Sequence, residues 1–132
     1  GRVVLVEQHR HTVGERFWEC PQGAFEGEPQ PSREQLARIE LAEETGFEAG
    51  ALKHLGRMYF AYGMSNQPFD AWVATELTPG PQALEPEEEG LRVGSFEPAE
   101  VQRMIERGAI ADAATVAVWG LARTAGSIHP AP

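Results

Sequence analysis

The sequence contains a single cysteine, Cys20, among 132 residues. One cysteine excludes an intramolecular disulfide framework and a cysteine-rich zinc site. We interpret Cys20 as a small buried hydrophobic residue, with a reactive thiol as the less common alternative. The four histidines are scattered, and only the weak His9/His11 pair has a metal-ligand spacing. We therefore expect surface or structural roles for the histidines.

Long hydrophobic runs are also absent. The longest, such as residues 3–6, fall far short of the about 20 apolar residues that span a bilayer. No basic stretch followed by an apolar one marks a secretory leader, so we expect a cytoplasmic protein without a membrane partner. The chain starts at Gly1, without an initiator methionine and almost directly in a strand-like segment. We expect that part of the N-terminal region is missing.

Basic residues are few: 11 Lys and Arg against 20 Asp and Glu give a formal net charge of −9. Such a surface offers no broad basic footprint, so duplex nucleic acid is not an expected partner. With 42% hydrophobic and 23% charged residues, the composition is that of a folded globular protein. Without an internal repeat or a long linker, residues 1–132 are expected to form one α+β or α/β domain.

Apolar periodicity and turn residues predict the order of the elements. Strand patterns cover residues 3–7, 17–20, 52–61, 69–77 and 91–96. Residues 23–32 and 78–90 are predicted to be loops because they are rich in Gly and Pro. A helix is predicted over residues 33–44, with a capping box at Ser32 and Gln35 and a stop at Gly46. Two further helices are predicted, one from Pro98 to Gly108 and one capped by Asp112.

Three glutamates share one face of the first predicted helix. At about 100° per residue, Glu40, Glu43 and Glu44 fall within an arc of about 100° that has apolar borders. Glu43 and Glu44 occupy the last turn, where the helix dipole disfavours each carboxylate by about 0.3–1 kcal/mol. Glu40 and Glu44 also repel each other at i,i+4. A hard divalent cation would resolve both conflicts. On geometry alone, an acidic surface helix explains the pattern equally well.

Two loops favour the metal hypothesis. Pro21-Gln22-Gly23 can bring backbone groups close to a ligand, because glycine has no Cβ. Glu87-Glu88-Glu89 lies on a Pro- and Gly-rich loop, where a mobile base or a further metal ligand is commonly held. By itself, this acidic run would be better explained as a solvated loop.

These residues resemble the Nudix box, a loop–helix–loop motif written GX5EX7REUXEEXGU, in which U is apolar. The string Glu40-Leu41-Ala42-Glu43-Glu44-Thr45-Gly46-Phe47 matches its second half closely, and the stretch from Gly23 to Glu28 is similar to its start. Residues 4–10, 18–23, 89–93 and 104–113 look like the corresponding segments of ADP-ribose pyrophosphatase-like members. The resemblance thus covers most of the chain.

Three departures lie in the middle of the motif. Ile39 stands where the box has Arg, which at that position would sit one turn from Glu43 and could orient it. Arg38 points about 100° away in a helix and cannot simply substitute. The step from Gly23 to Glu28 is one residue shorter than in the motif, and the step from Glu28 to Glu40 is three residues longer, with Pro29 and Pro31 in the extra length. Because the helix glutamates are intact, the resemblance supports metal binding more firmly than it supports a full catalytic rate.

The resemblance implies an α/β fold, an α/β/α sandwich with a mixed β-sheet. It implies Mg²⁺-dependent hydrolysis, with Mn²⁺ as an alternative, of a nucleoside diphosphate linked to another moiety, most of all ADP-ribose or a nucleotide sugar. Dinucleoside polyphosphates or RNA 5′ ends are alternative substrates, and a nucleotide-binding module without turnover is a further alternative. Members of the subgroup often form homodimers and hold the base with an N-terminal region, which here would precede Gly1.

The resemblance also implies a metal-ligand set. Its members are the Gln22 carbonyl, the helix residues Glu40 and Glu44, and the loop residue Glu89.

Catalytic and substrate-binding roles follow from the same resemblance. Glu43 matches the remaining box carboxylate, which is a ligand or a base in various members. Glu87 is the expected general base, and Glu88 competes with it because loop alignments can slip. Arg10 is positioned like an arginine that contacts substrate phosphate, and Gly23 is assigned to substrate binding.

Overall fold

A computed structural model describes residues 1–24 and 27–129 of the chain; Phe25 and Glu26 of the predicted loop lie outside them. Within these residues the elements follow in the order β1 (Val3–Arg10), β2 (Glu15–Glu19), α1 (Arg33–Thr45), β3 (Glu48–Tyr59), β4 (Pro68–Thr78), a 3₁₀ turn (Pro86–Glu88), β5 (Arg92–Phe96), α2 (Pro98–Glu106) and α3 (Ala113–Thr124). Among the described helices, none has the length and apolar character required to cross a bilayer.

The strands form two sheets. In the first, β1 lies between β2 and β5, and the second consists of β3 and β4. The α/β class is confirmed, but every strand pair in the described ranges is antiparallel, where the resemblance implied a mixed sheet. The hairpins β1–β2 and β3–β4 can pair only in this way, because a parallel pair needs a long crossover between its strands.

Strand β3 begins four residues earlier than the apolar pattern predicts. Glu48 pairs with Thr78, and Ala49 pairs with Leu77. The ladder with β4 therefore includes residues 48–51, a glycine-containing segment that the apolar pattern leaves outside the strand.

Capping signals in the local sequence account for both ends of helix α1. The Gln35 N–H donates to Ser32 Oγ at 3.1 Å, and the Ser32 N–H donates to Gln35 Oε1 at 2.9 Å. This is the predicted capping box. Gly46 ends the helix in the left-handed conformation, with φ 80°. The predicted bounds of α1 are confirmed to within one residue.

The hydrophobic core lies between β1 and the last two helices. It contains Leu5, Val101, Met104, Ile110 and Trp119. Cys20 is partly buried and packs against this cluster, and desolvation raises the pKa of its thiol to about 12. The interpretation of Cys20 as a packing residue is therefore confirmed.

The loop after β4 is fastened to the end of α1. The Ala83 N–H donates to the Glu43 carbonyl at 2.9 Å, and Gln82 Nε2 donates to the Glu44 carbonyl at 2.7 Å. The last carbonyls of a helix have no partner within the helix, so this docking satisfies them. Gly46 also lies so close to Gly80 that a Cβ at position 46 would overlap the Gly80 carbonyl.

This close approach predicts an unequal cost for two alanine substitutions at glycines with the same φ of 80°. At Gly108 the added Cβ meets no described atom within 4 Å, so Gly108→Ala should lower the free energy of unfolding by about 1–2 kcal/mol, the cost of a left-handed backbone. Gly46→Ala should cost roughly twice as much, because it also pushes against Gly80. Urea denaturation of both variants measures the difference. Equal losses would show that the Gly80 contact adds no constraint.

Candidate functional site

The carboxyl group of Glu44 is buried at the end of α1, with 1% of the residue exposed. The Gln22 N–H donates to Glu44 Oε2 at 3.2 Å, and the Glu88 carboxyl interacts with that of Glu44. Burial, followed by the bond to Glu88 and the charge of Glu88, raises the pKa of Glu44 to about 9, against the opposing effect of the Gln22 N–H. Unless a cation intervenes, Glu44 therefore holds a proton at neutral pH.

Glu40 lies one turn before Glu44 and packs against the backbone of Gly23. A Cβ on Gly23 would overlap the Glu40 carboxylate, so only glycine permits this approach. Burial raises the pKa of Glu40 to about 7, with further contributions from the charges of Glu43, Glu88 and Glu85. The predicted proximity of the Gln22-Gly23 loop to the helix glutamates is thus present in the fold.

Of the three loop glutamates, Glu88 is the one that reaches the helix. It belongs to the 3₁₀ turn, is half-buried and bonds Glu44, whereas Glu87 and Glu89 are exposed. Glu88 Oε1 also accepts from the Glu85 N–H at 2.9 Å. The sequence placed the loop ligand at Glu89 and the base at Glu87, with Glu88 as a competitor. Those roles stay predictions, and Glu88 is the glutamate in contact.

Arg10 lies at the end of β1 and is held by a buried partner. Its guanidinium pairs with Glu19, which is 2% exposed, and Gln8 Nε2 donates to Glu19 Oε1 at 2.9 Å. The bond to Glu19 raises the pKa of Arg10, and the charges of Asp112 and Glu44 add to this effect. The Arg10 side chain, 43% exposed, therefore stands at the rim of the glutamate cluster and faces solvent.

The structure shows the surroundings of Ile39, which stands where the motif has arginine. Ile39 lines a shallow depression together with Pro29 and Pro31 of the preceding loop. Arg38 donates to the Ala49 carbonyl of β3 at 2.7 Å. The Arg38 side chain is thus directed toward β3, in agreement with the expectation that it cannot substitute for the box arginine.

Sequence reasoning missed the partners that hold the site residues in place. Asp112 was predicted as a helix cap, and its Oδ2 does accept from the Thr115 N–H at 3.0 Å. The same oxygen also accepts from Gln22 Nε2 at 3.1 Å. No local pattern could reveal this bond, because the two residues lie far apart in the sequence. The same is true of the bond from Gln82 to the end of α1.

A hard divalent cation fits the chemistry of this cluster. Glu40, Glu44 and Glu88 offer only carboxylate oxygens, the donors that Mg²⁺ prefers, and their mutual repulsion favours a compensating cation. Within residues 1–24 and 27–129, however, no three or more His, Cys, Asp or Glu side chains are arranged to hold a metal ion as they stand. Metal ligation by Gln22, Glu40, Glu44 and Glu89 therefore stays a prediction.

Two curated relatives resemble the chain in sequence, although no family model matches it. The chain is 33% identical over 137 residues to the ADP-ribose pyrophosphatase of Mycobacterium tuberculosis, which covers 100% of this chain and 65% of the relative. It is 31% identical over 78 residues to the ADP-ribose pyrophosphatase of Bacillus subtilis, covering 59% of this chain and 41% of that protein. The chain thus spans less than two thirds of the length of both relatives.

Solved structures show the same fold. An ADP compounds hydrolase superposes with a TM-score of 0.79 at 22% identity, over 93% of this chain and 65% of that one. A MutT structure, from a study of the Aliivibrio salmonicida and Vibrio cholerae proteins, gives a TM-score of 0.56 at 23% identity, over 83% of this chain and 86% of that one. These superpositions show a shared fold, and the box residues from Glu40 to Phe47, together with the sequence similarity along the whole chain, support a Nudix protein of the ADP-ribose pyrophosphatase-like subgroup.

Proposed function

We propose that the protein hydrolyses the pyrophosphate bond of a nucleoside diphosphate linked to another moiety, with ADP-ribose as the first substrate to test, a nucleotide sugar as the second, and Mg²⁺ as cofactor. The observation that carries this proposal is the gathering of Glu40, Glu44 and Glu88 beside the Gly23 backbone, with Arg10 at the rim. The names of the two curated relatives support the choice of ADP-ribose. A homodimer in the cytoplasm remains the expectation from the sequence.

Five positions are proposed to hold the cation. They are Glu40, Glu44, Glu88, the Gln22 carbonyl and Glu89. When bound, Mg²⁺ supplies charge neutralisation for the diphosphate and a more acidic water. Glu44 must release its proton for this role, and its burial keeps bulk water away from the carboxylate.

Glu87 is our proposed general base, with Glu43 as the alternative. Glu87 is exposed on the 3₁₀ turn beside Glu88, so its carboxylate can accept a proton from the attacking water. General-base assistance of this kind contributes about 10²–10⁴-fold to a rate. Arg10, oriented by Glu19, is proposed to contact a substrate phosphate, and the Gly23 backbone is proposed to bind substrate beside it.

The first test measures Mg²⁺-dependent release of AMP from ADP-ribose by the wild type and by Glu44→Gln. The amide is close to the carboxyl in shape but cannot carry the charge, so kcat should fall at least about 100-fold. Glu34→Gln is the matched control, because Glu34 lies on the same helix but is exposed and paired with Arg38. Its rate should stay within about twofold of the wild type. Equal activity in the wild type and Glu44→Gln would overturn the metal assignment.

A nucleotide-binding module without turnover is the second candidate. It is favoured by Ile39, which faces the proline-containing loop where the motif expects an arginine. Failure to hydrolyse ADP-ribose, nucleotide sugars and dinucleoside polyphosphates, together with tight binding of one of them, would support this module and contradict the proposed hydrolase.

A second prediction concerns Gly23→Ala. The added Cβ displaces the end of the flexible Glu40 side chain, so the fold should survive while the carboxylate moves. Since misplacing a reacting group by about 1 Å can cost 10²-fold, we expect kcat/KM for ADP-ribose to fall about 10- to 100-fold. Gly63→Ala is the control, because its Cβ would meet no described atom within 4 Å. Unchanged kinetics in Gly23→Ala would contradict a close contact that matters for activity.

A third prediction concerns stability against pH in EDTA. An unfolded glutamate has a pKa near 4.5, whereas Glu40 and Glu44 have folded pKa values of about 7 and about 9. The folded state therefore binds more protons, and the free energy of unfolding should fall as pH rises from about 5 to about 9. Urea denaturation at several pH values should show a shallower fall for Glu44→Gln. The same slope in both proteins would contradict the raised pKa.

A further inference from the structure

The end of β2 and the residues that follow it are hydrogen-bonded to the segment that leads into α3, at three alternate residues. The bonds run from the Trp18 N–H to the Ala109 carbonyl, from the Cys20 N–H to Thr115 Oγ1, and from Gln22 Nε2 to Asp112 Oδ2, each at 3.1 Å. The first two bonds use the backbone N–H groups of alternate residues, which point the same way in an extended chain, and the third uses the Gln22 side chain. Because β2 is an edge strand, two of these bonds satisfy backbone donors without a neighbouring strand.

Asp112 and Thr115 form a tightly bonded junction at this place. Asp112 Oδ2 accepts from the Thr115 N–H at 3.0 Å, from the Thr115 hydroxyl at 2.6 Å and from Gln22 Nε2. The Thr115 hydroxyl donates to Asp112 and accepts from the Cys20 N–H. Thr115 is 3% exposed, so water does not compete for these bonds.

Gln22 is consequently held from two sides. Its side chain is bonded to Asp112 on α3, and its backbone N–H donates to Glu44 on α1 at 3.2 Å. The next residue, Gly23, lies against the Glu40 carboxylate. A shift of the Gln22 side chain would therefore move the backbone that faces both helix glutamates.

We propose that Asp112 and Thr115 are positioning residues for the candidate site: through Gln22 they hold the Gln22-Gly23 backbone against the glutamates of α1. This inference rests on the proposed function, because the cation site is the geometry that these residues would maintain. Partners that orient the ligands of a metal typically change affinity or activity by about 10–100-fold when removed.

Gln22→Ala separates this role from helix capping. It removes the side-chain bond to Asp112 but retains the cap of α3 and the backbone N–H and carbonyl groups of residue 22. Gln102→Ala is the matched control, because it also removes a glutamine that joins two elements, through bonds from Trp119 and Arg123, nearer the C-terminal end of α3. Both variants should fold, so a difference between them reports on the site.

The experiment measures Mn²⁺ binding by electron paramagnetic resonance and AMP release from ADP-ribose. Gln22→Ala should raise the Kd for Mn²⁺ about tenfold and lower kcat about tenfold, with KM for ADP-ribose nearly unchanged. Gln102→Ala should resemble the wild type. Amide hydrogen exchange should become faster over residues 20–24 in Gln22→Ala, because the clamp that holds this backbone has been removed.

A double-mutant cycle tests the coupling between the two residues. If Asp112 acts through Gln22, then Asp112→Ala with Gln22→Ala should bind Mn²⁺ no more weakly than Asp112→Ala alone. Asp112→Asn keeps an oxygen acceptor and should restore most of the affinity. Fully multiplicative losses would contradict a shared role.

The outcomes distinguish this inference from the proposed function. An active wild type, with Gln22→Ala behaving like Gln102→Ala, would overturn the positioning role and leave the hydrolase intact. A wild type that binds Mn²⁺ but hydrolyses no ADP-ribose would contradict the proposed function, while the Mn²⁺ affinities of the variants would still decide the positioning role. A wild type that binds no Mn²⁺ would overturn both.

Discussion

The buried carboxyl of Glu44 is the constraint on which the rest of the site depends. A helix C-terminus disfavours an anion, and a desolvated carboxylate must take either a proton or a cation. Two segments that are distant in sequence contact this residue. Gln22 donates a backbone N–H to the carboxyl, and the loop after β4 brings the Glu88 carboxyl beside it while Gln82 satisfies the Glu44 backbone carbonyl. Both segments therefore meet at the buried end of α1.

Capping of α1 also decides which loop glutamate reaches the site. The bonds from Ala83 and Gln82 to the last carbonyls of α1 fix the start of the loop. From there the chain enters a 3₁₀ turn, in which successive side chains diverge by about 120° because there are three residues per turn. Glu87 and Glu88 therefore point in different directions, Glu89 lies beyond the turn, and Glu88 is the one that contacts the helix. A run of identical residues gives no sequence signal for this choice.

Local signals explain what could be predicted from the sequence. The capping box at Ser32, the stop at Gly46 and the helical spacing of the glutamates specify α1 and its acidic face without tertiary information. The pairing of β1 with β5, the early start of β3 at Glu48 and the Gln22–Asp112 bond depend on contacts between residues far apart in the chain. These features follow from the folded packing, which composition and periodicity do not encode.

In the proposed hydrolase, the electrostatics of the site would couple substrate binding to the cation. Arg10 is already paired with the buried Glu19, so this pair adds little net positive charge toward an incoming diphosphate. Once Glu40, Glu44 and Glu88 are ionised, the local field is strongly negative and repels such a substrate, as does the net charge of −9. A divalent cation reverses that field and attracts the diphosphate. Because linkage is reciprocal, the diphosphate must strengthen cation binding by the same factor. In the proposed hydrolase the acidic cluster therefore makes the binding of substrate and of metal positively cooperative.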